Sequence, residues 1–242
     1  MYREVKKFIE DNIDLIDEGR FADLKLPDDT VVQGEFWEVM RGAGINPLVY
    51  LNNIPMAYMI GENIKEFKCP SNIESIDSSA FSGCENLQKV EFNEGLEIID
   101  VEAFYGSGLV EVNLPSSLNR IYEGAFRECE KLEKVSFKGN NLTFIGGGAF
   151  CECDSLDSIT LPEGLIQLRA SVFEGCFSLE EVYLPKSLES VSNNVFSQCF
   201  NLYELNYAGT KVEWERILKS SRWKVNSNLN VIHCTDGDIK LN

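Results

Sequence analysis

One histidine, His233, stands in a chain of 242 residues. Any chemistry that needs an imidazole, as general base or metal ligand, must pass through that position. Basic residues are scarce as well: 22 Lys and Arg face 39 Asp and Glu, a formal charge of −17. A binder of nucleic-acid backbone needs a clustered basic face. Here acids run through the first sixty residues and the remainder alike, which excludes nucleic acid and anionic membrane as partners. A protein partner drawn by charge would be basic or neutral. No apolar run reaches the roughly 18 residues of a membrane-spanning helix. The opening stretch "MYREVKKFIEDNIDLIDEG" mixes acids into its apolar residues and has no small-residue cleavage site, unlike a secretory signal. A cytoplasmic location is expected, with the cell surface as the alternative if an export signal was trimmed. In the cytoplasm the eight cysteines should be reduced thiols.

What the chain has in abundance is a repeat, the feature to look for first. Phe81, Phe104, Phe126, Phe150, Phe173 and Phe196 recur at steps of 23, 22, 24, 23 and 23. Six residues after each comes Leu87, Leu132, Leu156, Leu179 or Leu202; in the short Phe104 unit Leu109 comes after five. Val90, Val112, Val135, Ile159, Val182 and Leu205 follow three further on, and Phe92, Leu114, Phe137, Leu161, Leu184 and Tyr207 two beyond those. A second apolar pair then follows, as in Leu118 and Ile121. An incomplete leading unit fits through Ile64, Phe67, Cys69, Ile73 and Ile76.

The Val-x-Phe/Leu step has the period of two of a strand with alternate side chains inward. Pro70, Pro115, Pro162 and Pro185 follow it and end its ladder, having no N–H to donate. No single unit can bury its apolar face, so the units must stack as coils of a solenoid, strands in parallel, with caps at both ends. The pattern L-x-x-V-x-L-P-x-x-L-x-x-I-x-x-x-A-F-x-x-C-x-x-L, met nearly position for position from Val112 to Val135, resembles the BspA-like leucine-rich repeat. The resemblance covers about residues 64 to 234. It implies a curved solenoid and protein binding, often adhesion on bacterial surfaces.

The expected fold is therefore α/β: a leucine-rich-repeat solenoid of six to seven coils over 61–208, a helical N-terminal capping subdomain over 1–60, and a helix-plus-strand C-terminal cap over 209–242. At the N-terminus Val5, Phe8, Ile9, Ile13 and Ile16 form one helical stripe. Short helical segments are expected over 35–41 and 47–51. At the other end Thr210 and Glu213 make a capping box with Trp214, Ile217 and Leu218 on one face. Leu229, Val231 and His233 alternate as a last strand.

The stretch "GGGAFCECDSL" from Gly146 invites a phosphate loop and half a zinc site. The repeat phase gives a plainer reading: its glycines are turn residues before a core Ala-Phe. Cys84, Cys129, Cys153, Cys176 and Cys199 each lie three residues after a repeat Phe. Thiols recurring once per coil form a row instead of converging tetrahedrally on zinc; a buried ladder is preferred over metal binding and over disulfides between coils. Cys151 alone is out of pattern, in a phase held elsewhere by Ser82, Tyr105, Arg127, Glu174 and Ser197, and is expected to face outward. No catalytic constellation, metal site or cofactor is implied, and an enzyme is not expected.

What remains is surface. Two rows flank the inward Val on what should be the concave face: Lys89, Glu111, Lys134, Ser158, Glu181, Glu204, and Glu91, Asn113, Ser136, Thr160, Tyr183, Asn206. Solenoids use such faces for binding. Phe177 and Phe200 follow the ladder Cys where earlier coils carry Glu85, Glu130 and Asp154; they are either an exposed aromatic patch or covered by the cap. The expected function is a non-catalytic protein-interaction module. The alternatives are an intracellular inhibitor or effector acting through residues 1–60, and a bacterial surface adhesin.

Overall fold

Each coil runs a short strand, turns, makes a second, shorter strand, and returns past a buried phenylalanine. The computed structural model describes residues 65–69 and 73–241, about seven turns of this solenoid. The strands are numbered β1 to β16 along the chain. The first strand of each coil is β1 (Glu66–Lys68), β3 (Lys89–Glu91), β5 (Glu111–Leu114), β7 (Lys134–Phe137), β9 (Ser158–Thr160), β11 (Glu181–Leu184) and β13 (Glu204–Tyr207). They stack in parallel in that order, followed by β15 (Val231–Cys234). The register joins equivalent positions, Val112 to Val135 and Leu205 to Ile232. A last strand, β16 (Gly237–Lys240), turns back antiparallel and completes a nine-stranded sheet.

The Leu-x-x-Ile segments form a second ladder. Strands β2 (Ser75–Ile76), β4 (Ile98–Ile99), β6 (Arg120–Ile121) and β8 (Phe144–Ile145) make one small parallel sheet. Strands β10 (Gln167–Leu168), β12 (Ser190–Val191) and β14 (Leu218–Lys219) make another. In most of these two-residue strands the second residue is buried and the first is not.

Between the ladders the six phenylalanines form one core column. The rings of Phe81, Phe104, Phe126, Phe150, Phe173 and Phe196 stack with centroids 4.9 to 5.8 Å apart and planes within 9° of parallel. Trp223 ends the column, its ring 6.1 Å from that of Phe196 and turned edge-on at 78°.

The chain departs from the expected α/β class, and the return path shows why the coils themselves carry no helix. Two residues before the phenylalanine and two after it, every coil holds a residue at positive φ. The first set is Ser79, Glu102, Gly124, Gly148, Ser171 and Asn194; the second is Gly83, Gly106, Glu128, Glu152, Gly175 and Gln198. A left-handed residue interrupts the i to i−4 hydrogen bonding of a right-handed helix. With two per coil, the return is a succession of turns whose amides bond to the next coil, as Phe126 N–H does to Ala149 O at 2.8 Å. The described chain is accordingly a β-solenoid with a single α-helix, α1 (Lys211–Arg216).

That helix has the expected capping box: Thr210 N–H donates to Glu213 Oε2 at 2.8 Å, and Glu213 N–H donates to Thr210 Oγ1 at 3.3 Å. Trp214 is buried from it, 5.9 Å from Trp223. The expected N-terminal helical cap over 1–60 lies outside the described residues, so the helical part of the fold class rests on α1 alone. In the triple glycine, Gly148 takes φ 64° and a Cβ on Gly146 would stand 2.4 Å from Glu123 N. These are steric requirements of the coil turn.

Candidate functional site

On the outer face of the long sheet the two rows appear in register, and β1 and β15 extend them. Glu66 pairs with Lys89 and Lys68 with Glu91 at one end; Val231 pairs with Glu204 and His233 with Asn206 at the other. Many of these polar side chains are tied to one another. Lys89 Nζ lies 3.3 Å from Glu91 Oε1, and Lys68 Nζ 3.7 Å from Glu91 Oε2. Asn113 Nδ2 donates to Glu111 Oε1 at 3.2 Å, and the Ser136 hydroxyl donates to Asn113 Oδ1. The Tyr183 hydroxyl donates to Glu181 Oε2 at 3.2 Å, and the Glu181 charge raises the tyrosine pKa. Ser158 donates to its neighbour Asp157 at 2.7 Å, outside the rows. Lys134 and Thr160 lie exposed in theirs.

At the C-terminal end the one histidine bridges two carboxylates. His233 Nε2 is 2.9 Å from Glu204 Oε2, and Nδ1 is 2.8 Å from Asp238 Oδ1. Hydrogen bonding to Glu204, then to Asp238, raises its pKa above the ordinary value. Both ring nitrogens are engaged, so the imidazole ring is a clasp between β13, β15 and β16.

The aromatic patch is exposed. Phe177 and Phe200 are 41% and 47% accessible, with rings stacked 6.0 Å apart and 1° from parallel. The C-terminal segment reaches the backbone here: Asn228 Nδ2 donates to Phe200 O at 2.6 Å. Two further aromatics of the same stretch are exposed, Tyr203 at 51% and Tyr183 at 42%. The sequence reading missed Tyr203. Its signal was an aromatic in a phase that other coils fill with Gln88, Val110, Glu133, Asp157 and Glu180.

The cysteines form a buried row and also act as donors. The thiols of Cys129, Cys153, Cys176 and Cys199 donate to the carbonyl oxygens of Phe104, Phe126, Phe150 and Phe173 in the preceding coil, at 3.0 to 3.1 Å. In the short coil Ser107 takes the equivalent place, its hydroxyl 3.3 Å from Cys129 Sγ. Burial pushes the thiols of Cys129 and Cys199 up to about 12 and those of Cys69 and Cys84 to about 11. Cys151, expected to face outward, is buried, only 5% accessible, with its pKa pushed by burial to about 11. Arg127 and Glu174 hold the same phase in the coils on either side, and the thiol is 3.9 Å from Glu152 Oε1. Cys234 is the one partly exposed thiol. Among the described residues no group of three or more His, Cys, Asp or Glu is placed to hold a metal ion, and no helix is long and apolar enough to cross a membrane.

The family model described as BspA type Leucine rich repeat region matches the chain in six copies, over residues 52–147 and 138–232. Solved bacterial structures share the fold. A leucine-rich repeat protein from Eubacterium ventriosum ATCC 27560 is similar at 21% identity and TM-score 0.62, over 74% of this chain and 48% of its own. The T. pallidum Leucine Rich Repeat protein is similar at 29% identity and TM-score 0.57, over 61% of this chain and 71% of its own. A leucine-rich repeat protein from Bacteroides ovatus ATCC 8483 is similar at 22% identity and TM-score 0.51, over 73% and 56%. The chain thus spans about half the length of the first of these. No curated protein is significantly similar to it.

Proposed function

The chain belongs to the BspA-type leucine-rich-repeat family, and on that premise we propose that it is a non-catalytic protein-binding module. One observation carries the reading. The exposed large aromatics of the described chain, Phe177, Tyr183, Phe200 and Tyr203, all fall within residues 177–203, on two neighbouring coils. Exposed aromatics gathered in one region mark interfaces, and Tyr is enriched among residues that dominate binding. The site joins the aromatic patch to the C-terminal part of the outer sheet face, with Glu181, Tyr183 and Glu204, and its partner presents a basic or neutral surface. In this reading residues 1–60 and 209–242 close the two ends of the stack.

Affinity capture from the native host, with partners identified by mass spectrometry, tests it. Replacing Phe177 and Phe200 by Ser should cut capture of a specific partner about tenfold or more. Glu181→Lys with Glu204→Lys and Tyr183→Ala should do the same from the sheet side. Capture unchanged by both sets removes this end of the solenoid as the site.

A further inference from the structure

The position after the ladder cysteine makes a line along the solenoid: Glu85, Glu130, Asp154, Phe177 and Phe200, with the short coil between the first two. The coils are in register there, since Ser155 N–H donates to Glu130 O at 3.2 Å and Ser178 N–H to Asp154 O at 3.1 Å. The line is thus acidic at one end and aromatic at the other. From Glu85 to Phe200 it takes five coil steps, about 24 Å at the ~4.8 Å spacing of paired strands, the length of about seven extended residues.

Two features bear on what would lie along it. The short coil leaves a notch beside Glu85, lined by Tyr105, Gly106, Gly108, Glu128 and Lys131. A Cβ on Gly108 would stand 1.9 Å from Glu85 O, so the backbone of the short coil sits hard against the preceding one. Cations close by are already committed: Arg127 to Glu128 and Glu152, at 3.3 and 3.7 Å, and Lys131 to Glu85 O at 3.4 Å. Asp154 is half-buried beside Glu130 and Glu152; its Oδ1, shielded from solvent, has no hydrogen-bond partner among the described residues. Among the described residues, the centre of the line thus holds two carboxylates with no cation on them, Glu130 and Asp154, and Asp154 is one coil from Phe177 and two from Phe200.

Resting on the protein-binding reading above, we propose that this line binds an extended peptide segment, with an Arg or Lys side chain at Glu130 and Asp154 and a large apolar side chain on Phe177 and Phe200. The two anchor points are two coil steps apart, about 10 Å, or about three extended residues. The acids select the cation and set the direction of the peptide; the rings supply most of the affinity.

Fluorescein-labelled nonapeptides test this on the full chain by anisotropy. On a Ser/Thr background, one Arg is fixed and one Trp or Leu is placed one to five residues away; control peptides lack either the Arg or the apolar residue. The tightest binding is expected at a separation of two to four. Phe177→Ser with Phe200→Ser should weaken it about tenfold or more. Glu130→Gln with Asp154→Asn should weaken it about fivefold and flatten its salt dependence. Thermal melting confirms that both variants fold, the phenyl pair being exposed. Controls that bind as well as the two-anchor peptides, or binding indifferent to both variants, overturn the proposal. If no peptide binds while capture of a folded partner still depends on Phe177 and Phe200, this inference falls and the protein-binding reading stands. If that capture is also indifferent to the phenyl pair and to the sheet-face set, both fall.

Discussion

The thiol of Cys153 donates a 3.1 Å hydrogen bond to the carbonyl oxygen of Phe126, one coil back. The same oxygen accepts the Cys129 amide at 3.3 Å. The cysteine therefore fills a small volume and also satisfies part of a buried carbonyl. Cys153→Val removes the donor and adds a branch to a fully packed site. It should cost about 1–3 kcal/mol, read as a lower midpoint in urea unfolding with an unchanged slope.

Thiol chemistry should follow burial. Of the eight cysteines, the partly exposed Cys234 should react fastest with a thiol-specific reagent in the folded protein, though burial and then Asp236 raise its pKa as well. Cys151 should react slowly, because burial raises its pKa and little of it is accessible. Denaturant should release the remaining seven. Counting fast-reacting thiols by mass spectrometry, with Cys234→Ser as control, decides the matter; a fast Cys151 would contradict its placement.

Left-handed residues give a stability lever. Gln198 holds φ 62° with an exposed side chain, a conformation glycine adopts without the Cβ penalty. Gln198→Gly should raise stability by about 0.5–1 kcal/mol, and Gly148→Ala, at φ 64°, should lower it by about 1 kcal/mol. A loss from Gln198→Gly together with a gain from Gly148→Ala would show that glycine's chain entropy outweighs the strain.

The His233 clasp should make stability depend on pH. Its folded pKa is raised above 6.5 by Glu204 and Asp238. The contribution is thus complete below the unfolded value and is lost as pH rises through the folded one. The melting difference between wild type and His233→Gln should be largest near about pH 6 and shrink by about pH 9. A difference that stays constant would mean the ring acts by packing.

Much of the solenoid was legible because each coil presents the same slot to its neighbours. Phe150 must match Phe126 and Phe173 in shape, and so the period shows in the letters. The return path was not legible. Its left-handed positions are filled by Glu102, Glu128, Glu152 and Gln198 as readily as by glycine, so nothing in the composition announces that helix is barred. The second ladder was hidden too: with two residues per strand and one buried, no alternation can develop. Alternation did expose the outer rows, whereas Cys151 is buried in a phase that other coils give to Arg127 and Glu174, because phase alone does not fix how exposed a short side chain is. Trp223 comes 27 residues after Phe196, off the period, and was overlooked.

That edge-on indole has a further bearing. A structure built by adding like to like has no intrinsic length, and head-to-tail growth that does not close yields a filament. Up to Phe196 each ring offers the next a flat face. Trp223, turned through 78°, packs in its turn against Trp214, 5.9 Å away and also edge-on, so the run of parallel rings is closed off by indoles of the same chain. The length of the periodic stack is thus set within one molecule, at the step from Phe196 to Trp223.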